Sequence, residues 1–442
     1  MTLPLHLQER AAALTGLRER LGEMTLAEPF GTVVDVKGPL ARVAAPDFRV
    51  GEMCEFLMPA GRALLGEVIG LQGDFTLVTP LGPIEGIGQG TMVRKRSEGF
   101  TIPFSSALLG RMVTGLGEVV GEPLDGPVKR VPVKAAPPEP ADRAPIDTAL
   151  PTGLRVIDGC MTLARGQRVA VIGPPGAGKS TLLAAITAHS DVDVVVFGLI
   201  GERGREIQEF VTRKIPDETR QKLVVVAAPA DKPALERLYA ANTATAIAEG
   251  FRDQGKSVLL VIDSMTRVAR AMREVGLAAG EPPTRRGYPA SVFAQLPELI
   301  ERPGPAPVGE ITAIYSVLAE GETSSDPIAE ETRSLVDGHI ILDASIAAGG
   351  RYPAINVTES LSRLMAEVVE GPHQRMNTAI RACLAKYAEI ELLVQIGEYS
   401  AGQDPEADRA LELYPYVQKF LKQGPEKHEF GETLEWMREM LE

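Results

Sequence analysis

Cysteine is scarce. Cys54, Cys160 and Cys383 are the three in 442 residues, odd in number, widely spaced and part of no CxxC or Cys/His cluster. That excludes a disulfide framework and a thiolate metal site, and reads as reduced thiols filling core positions in a cytosolic protein. Long hydrophobic runs are missing too. No stretch approaches the ~20 apolar residues of a spanning helix, and the first thirty residues lack the apolar core of a signal peptide, so a soluble, cytoplasmic chain is expected. Positive charge is short: 46 Lys and Arg against 59 Asp and Glu leave −13. This argues against a surface built for nucleic acid, which needs clustered cations, and leaves room only for a local basic patch. No repeat of fixed period occurs. What is present is ordinary globular material, 44% hydrophobic and 24% charged, in a chain too long for one ordinary core; two or three domains are expected.

The pattern along the chain changes four times. Leu7, Leu14, Leu17 and Leu21 fall near one face of a short amphipathic helix, which either docks on its own protein or meets a partner or membrane surface. From Gly31 to Arg96 short β-rich runs (Thr32–Val36, Glu52–Leu57, Leu64–Ile69, Phe75–Val78) broken by Gly or Pro predict a small barrel or sandwich. Between Val131 and Pro151 six prolines forbid a continuous helix and predict an extended connector. From Arg168 on, near-continuous apolar strands (168–172, 192–200, 223–227, 258–262, 311–318, 339–342) alternate with helices (180–188, 234–252, 290–301). That is the pattern of a mostly parallel sheet covered on both faces, whose ligands bind beyond the carboxyl ends of the strands. After about Ser360 the chain is mainly helical.

Residues 173–180, Gly-Pro-Pro-Gly-Ala-Gly-Lys-Ser, fit GxxxxGK[ST] between an apolar strand and a helix. In that context the glycines let backbone amides turn toward phosphates, and the helix N-terminus adds a favourable partial charge. Lys179 reaches the β and γ phosphates of ATP and Ser180 ligates Mg2+, with Gly173, Gly176, Ala177, Gly178 and Thr181 completing the cradle. Asp263 follows an apolar strand at once, placing a carboxylate where it can hold magnesium through water, beside the phosphate loop if the strands are neighbours. A helix N-cap is the competing reading. Glu202 heads Gly-Glu-Arg-Gly-Arg-Glu at another strand end, where it could orient the attacking water with Arg203 and Glu206 around it. Spacing alone does not separate this from a solvated charge cluster.

Four segments carry a resemblance: Gly-Leu-Ile-Gly-Glu-Arg-Gly-Arg-Glu (198–206), Pro-Pro-Thr-Arg-Arg-Gly-Tyr-Pro-Ala-Ser-Val-Phe (282–293), Asp-Gly-His-Ile-Ile-Leu (337–342) and Pro-Ala-Ile-Asn-Val-Thr-Glu-Ser-Leu-Ser-Arg (353–363). Together they resemble the ATPases of type III secretion and flagellar export, relatives of the rotary ATP synthase catalytic subunits, over nearly the whole chain from Gly31. The resemblance implies an α/β fold, a RecA-like P-loop NTPase core with an N-terminal β-barrel and a C-terminal helical domain. The divisions would be residues 1–25 (amphipathic helix), 26–97 (barrel), 98–365 (ATPase) and 366–442 (helical).

By position, Glu202 is similar to the family's catalytic glutamate and Arg203 to the arginine beside it. Glu206 joins Ser180 and Asp263 around magnesium, Tyr352 resembles the aromatic that stacks on adenine, and Arg363 resembles an arginine finger entering the neighbouring subunit's site. The segments 391–404 and 408–415 resemble the injectisome branch more than the flagellar one. The resemblance further implies a homohexamer at the cytoplasmic, inner-membrane base of a secretion apparatus, where it releases substrates from chaperones and readies them for export. Its partners would be a stator-like regulatory subunit at the N-terminal helix, a central stalk protein, an export gate and chaperone–substrate complexes; peripheral membrane association fits as well. The loop from Glu281 to Tyr288, with Arg285 and Arg286, is either a pore contact or a mobile surface loop. Nucleic acid is not an expected partner; a terminator-helicase type of motor would need exposed aromatics and clustered cations on the barrel, which offers Phe30, Phe48, Phe56, Phe75 and the run Arg94, Lys95, Arg96. Two departures stand out. Pro174 and Pro175 replace small residues in the phosphate loop and remove two backbone donors. Thr114 stands where relatives have an acidic or amide residue.

Overall fold

The computed structural model describes residues 30–442, apart from 46, 97 and 320–325. The expected N-terminal amphipathic helix lies outside the described residues. The chain divides into two compact units at Gly99/Phe100.

In the first unit six strands, β1 (Phe30–Lys37), β2 (Leu40–Ala44), β3 (Met53–Leu57), β4 (Ala63–Gln72), β5 (Phe75–Pro80) and β6 (Met92–Lys95), close a barrel in the order β1-β2-β5-β4-β3-β6. A barrel rather than a sandwich forms because β6 pairs with both β1 and β3, which removes the open edges. Alternate side chains (Val33, Val43, Cys54, Phe56, Val68, Val78, Val93) point inward and form its core. Phe48 and Phe56 are buried there, and Phe75 lies under the Arg42 guanidinium, 4.3 Å from its ring centre. Arg94 pairs with Glu55 at 2.6 Å, Lys95 with Glu52 at 2.8 Å and Arg96 with Glu55 at 3.3 Å. Phe48 and Phe56 are therefore core residues and Phe75 is covered by Arg42, which leaves Phe30, 44% exposed, as a lone surface aromatic, and the basic run is locally neutralised by Glu52 and Glu55.

The second unit is built on an eight-stranded sheet. Its strands in chain order are β8 (Met112–Thr114), β12 (Arg168–Gly173), β13 (Val194–Ile200), β14 (Leu223–Ala228), β15 (Ser257–Asp263), β16 (Glu310–Leu318), β17 (Gly338–Ile341) and β18 (Leu361–Ser362). The spatial order is β18-β17-β12-β16-β15-β13-β14-β8, parallel except for the β17–β18 edge pair. Strands β12, β13 and β15 are buried almost end to end, because helices cover both faces. The strand of Asp263 is not the neighbour of the phosphate-loop strand: β16 lies between β15 and β12. The reversal of strand order around β12 still brings both carboxyl ends to one crevice.

The proline-rich connector is more than an extended tether. Its start, β9 (Lys129–Pro132), pairs with β7 (Thr101–Phe104), and its end, β10 (Ala149–Leu150), pairs with β11 (Leu163–Ala164). Arg302, only 2% exposed, donates to the Val133 carbonyl at 2.8 Å while bonded to Glu249. Proline forbids helix there but leaves carbonyls free to accept, and the neighbouring strands and Arg302 use them. Thr114 takes over an acceptor role: its hydroxyl accepts from the Leu116 and Glu118 amides at 3.3 and 3.2 Å.

Three C-terminal helices (Gly371–Gln395, Pro405–Leu421, Phe430–Leu441) pack on the short helix Arg155–Cys160. Val156, Ile157 and Cys160 share one buried cluster with Ile380, Val417, Phe420 and Met437. This packing decides where the segment 422–425 sits, which matters for the site.

Candidate active site

The phosphate loop follows β12 and enters the helix Lys179–His189. Gly178 holds φ +88°, the left-handed region in which a side chain would be strained, and it starts the helix. The first helical amides have no intrahelical acceptor; Thr181 and Leu182 are the first to bond back, both to the Gly178 carbonyl, at 3.1 and 2.9 Å. Donors from Lys179 and Ser180 therefore remain for an anion even though Pro174 and Pro175 contribute none.

Above the loop lies a cavity of about 280 Å³ lined by Pro174, Pro175, Gly176, Gly178, Lys179, Ser180, Thr181, Glu202, Lys214, Asp263, Arg267 and Leu318. Lys179 is buried and donates to the Gly173 carbonyl at 2.8 Å. Burial pushes its ammonium down to about 8, with Asp263 and Glu202 opposing. Asp263, 6% exposed, is pushed up by burial against the pull of Lys179, Arg267 and Lys214. Glu202 is pushed up to about 7, first by burial and then by Asp263 and Glu206, while Arg267 pulls it down. Two carboxylates share one partly dry cavity, and burial more than any neighbouring charge holds both above their ordinary range. Hard oxygen donors at Ser180 and Asp263 suit magnesium, which takes one or two protein ligands and completes its shell with phosphate and water.

Arg267 was not visible in the sequence pattern. Its guanidinium meets the Glu202 carboxylate at 3.0 Å and donates to the Gly201 carbonyl. Gly201 allows this approach, since a Cβ there would meet the Arg267 Cδ at 2.7 Å. The available signal was position alone: Arg267 lies four residues beyond Asp263, in the first turn of the helix Met265–Ala278. Arg203, by contrast, points outward, 78% exposed and paired with Glu206 at 3.5 Å, and neither residue lines the cavity. Glu206 still bears on the site through its negative charge, which helps to raise the Glu202 carboxyl.

A second cavity of about 550 Å³ adjoins the first and is mainly apolar, lined by Leu154, Ala177, Leu182, Leu342, Tyr352, Pro353 and Gln423 to Pro425 among others. Tyr352, 49% exposed, lines it close beside Gly178: a Cβ on that glycine would lie 3.8 Å from the tyrosine ring. Gly178, Thr181 and Lys214 line both cavities. Arg363 lines neither: its side chain is exposed just beyond the edge strand β18, where its amide donates to the Asp337 carbonyl at 2.9 Å.

The wall at Gln423 is tied down from several sides. Its side chain donates to the Gly153 and Glu426 carbonyls at 2.9 and 2.7 Å and accepts from the Arg155 amide at 2.8 Å, and its own amide donates to the Tyr352 carbonyl at 2.8 Å. Arg155 holds the same segment, donating to Phe420 and Lys422 carbonyls, meeting His428 Nε2 at 2.6 Å and lying 4.3 Å over the Trp436 ring. Gln423→Ala strands these buried groups, so stability is expected to fall by about 2 to 4 kcal/mol. The nucleotide KM should rise roughly 5- to 10-fold as the base wall loosens, a loss of about 1 kcal/mol in binding. A melting curve and a KM measurement check this; an unchanged KM would separate the wall from the site.

Fold and site together define a P-loop nucleoside triphosphatase, with a phosphate loop, a strand-end aspartate and a desolvated glutamate around one crevice. Family comparisons agree segment by segment. The ATP synthase alpha/beta family nucleotide-binding domain matches residues 153–362, the beta-barrel domain of that family 30–96, and the T3SS EscN ATPase C-terminal domain 369–439. The type 3 secretion system ATPase of Xanthomonas euvesicatoria is 46% identical over 415 residues, 92% of this chain and 93% of that one. The flagellum-specific ATP synthase of Bacillus subtilis is 40% identical over 405 residues, 90% and 92%. The assembled ATPase EscN of the enteropathogenic E. coli type III secretion system superposes with a TM-score of 0.89 at 41% identity, over 93% of this chain and all of that one. EscN in complex with its central stalk EscO gives 0.85 at 41% identity over the same shares. The chain belongs to the type 3 secretion system ATPase family and is an ATPase.

Proposed function

We propose that six copies of this chain form a ring at the inner-membrane base of a type III secretion apparatus and hydrolyse ATP with magnesium to release and unfold export substrates. The observation that carries the chemistry is Glu202, a desolvated carboxylate held by Arg267 on the wall of the phosphate cavity. Deprotonated, it accepts a hydrogen bond from the attacking water and turns that water toward the γ phosphate. Lys179 and the helix amides take the charge on the phosphates, and Tyr352 covers the base. Magnesium, held by Ser180 and Asp263, would neutralise charge between the β and γ oxygens.

The ring is supported by what a single chain leaves open. Arg363 lies just beyond the edge strand β18 and lines neither cavity of its own chain, which suits a residue that serves a neighbour. EscN is an assembled ATPase that binds a central stalk, and the likeness over 93% of this chain extends both features to it as a proposal. A stator-like subunit at the N-terminal helix, an export gate and chaperone–substrate complexes belong to the same proposal, and the loop at Arg285 and Arg286 is its pore candidate. That loop is pinned rather than loose: Arg285 pairs with Glu330 at 2.6 Å and Thr284 with the Tyr288 carbonyl at 2.7 Å.

The pH profile tests the role of Glu202. Its carboxyl is raised to about 7, so it is protonated and inactive below that pH and active above it. Lys179, lowered to about 8, loses its charge above that value and with it the hold on phosphate. The profile of kcat/KM, which reports the free enzyme, is expected to be bell-shaped with limbs near these two values. A profile flat from pH 6 to 8 would remove Glu202 from the role.

A further inference from the structure

The site uses Lys179, Glu202, Asp263 and Arg267 and leaves one cation of the same basin, Lys214, with no bonded partner among the described residues, its charge reaching Asp263 only at a distance. Lys214 is the last residue of a π-helical turn, Phe210–Lys214, that continues the helix Gly204–Glu209 behind Glu202. Such wide turns re-aim the side chains that follow them and recur at functional sites. Both ends of this one are anchored: Phe210 is buried against Phe197, ring centres 4.6 Å apart, and Ile215 is buried. Between the anchors Lys214 is exposed and, among the described residues, holds no hydrogen bond or ion pair.

Its place is informative. Of the three residues that line both cavities, Gly178 and Thr181 belong to the phosphate loop and its helix, and Lys214 is the one with charge. A nucleotide that puts its base against Tyr352 and its β and γ phosphates at Lys179 must cross that shared neck with its ribose and α phosphate. An unpaired ammonium there has a nearby anion to meet once the nucleotide binds.

We propose that Lys214 is a nucleotide-binding residue that meets the α phosphate, where the triphosphate joins the ribose. This rests on the reading of the two cavities as one nucleotide site. Lys179 serves the far end of the triphosphate, and Lys214 serves the part that ATP and ADP share. Lys214 therefore contributes to holding product as well as substrate.

The test measures calorimetric dissociation constants of Mg-ATP and Mg-ADP on the full chain, wild type, Lys214→Ala and Lys214→Arg. Lys214→Ala is expected to weaken both nucleotides about equally, roughly 10-fold, or about 1.4 kcal/mol. The loss in kcat/KM should sit mainly in KM, and Lys214→Arg should stay within about threefold of wild type, since it keeps the charge. Because the side chain is exposed, melting temperatures should not move. Unchanged affinity for both nucleotides would overturn the inference, and so would a loss confined to ATP, which would place the cation at the γ phosphate. Failure of the wild-type chain to bind either nucleotide would instead overturn the site reading beneath it.

Discussion

Replacing Arg363 by alanine is expected to leave ATP binding within about threefold of wild type while lowering kcat by about 10³ to 10⁵, equivalent to roughly 4 to 7 kcal/mol of barrier. The reason lies in placement. The Arg363 side chain is exposed beside the edge strand β18 and touches neither cavity of its own chain. Binding in one chain therefore does not need it. A guanidinium from a neighbour, entering across the open side of the phosphate cavity, would stabilise the charge that develops as the γ phosphate leaves, and would do so only in the transition state. Such an interaction appears in kcat and not in affinity. Turnover and a nucleotide dissociation constant on the same preparation check this. Unchanged turnover at saturating ATP would mean that Arg363 is a surface residue only.

Lys179→Ala and Glu202→Gln should both abolish most hydrolysis, but they should part company in binding. Lys179 is the buried cation of the phosphate cavity, so its loss is expected to weaken ATP binding severalfold and lower kcat/KM by 10³ or more, on the order of the loss of a principal charge-stabilising donor. Glu202 is a carboxylate already raised by burial and by Asp263. Making it neutral relieves repulsion of the phosphates, so affinity should hold or tighten while kcat drops about 10²- to 10⁴-fold, the usual range for a lost base. Arg267 keeps its bond to the Gly201 carbonyl in that variant, which preserves the local fold. Weaker ATP binding in Glu202→Gln than in Lys179→Ala would reverse the assignment of roles.

The parts of this site that were legible in sequence are those whose chemistry is written in consecutive residues. The phosphate loop needs glycines, a lysine and a hydroxyl at fixed spacing between a strand and a helix, so residues 173–180 declare themselves. Asp263 is legible because a buried strand that ends in a carboxylate is unusual. Glu202 stands at a comparable strand end but amid charges, and only resemblance singled it out; the structure adds the physical ground, partial burial and the Arg267 contact. Arg267 and Lys214 escaped because they reach the crevice from a helix turn and a π turn, whose side-chain directions no short pattern encodes. The strand order escaped for a related reason. Apolar runs identify strands but not neighbours, so the insertion of β16 between β12 and β15 followed only from three-dimensional pairing. Gln423 illustrates the longest reach: more than two hundred residues separate it in sequence from Arg155 and Gly153, and nothing local marks it as part of a nucleotide wall.

If Arg363 completes the neighbouring chain's site, one chain alone holds half of a working site. The most direct test is the specific ATPase activity of the full chain against its concentration, with mass measured in the same samples. A site shared between two chains predicts that activity per chain rises with concentration as monomers give way to assemblies and then levels off. Constant activity per chain, down to dilutions where only monomers are found, would contradict it.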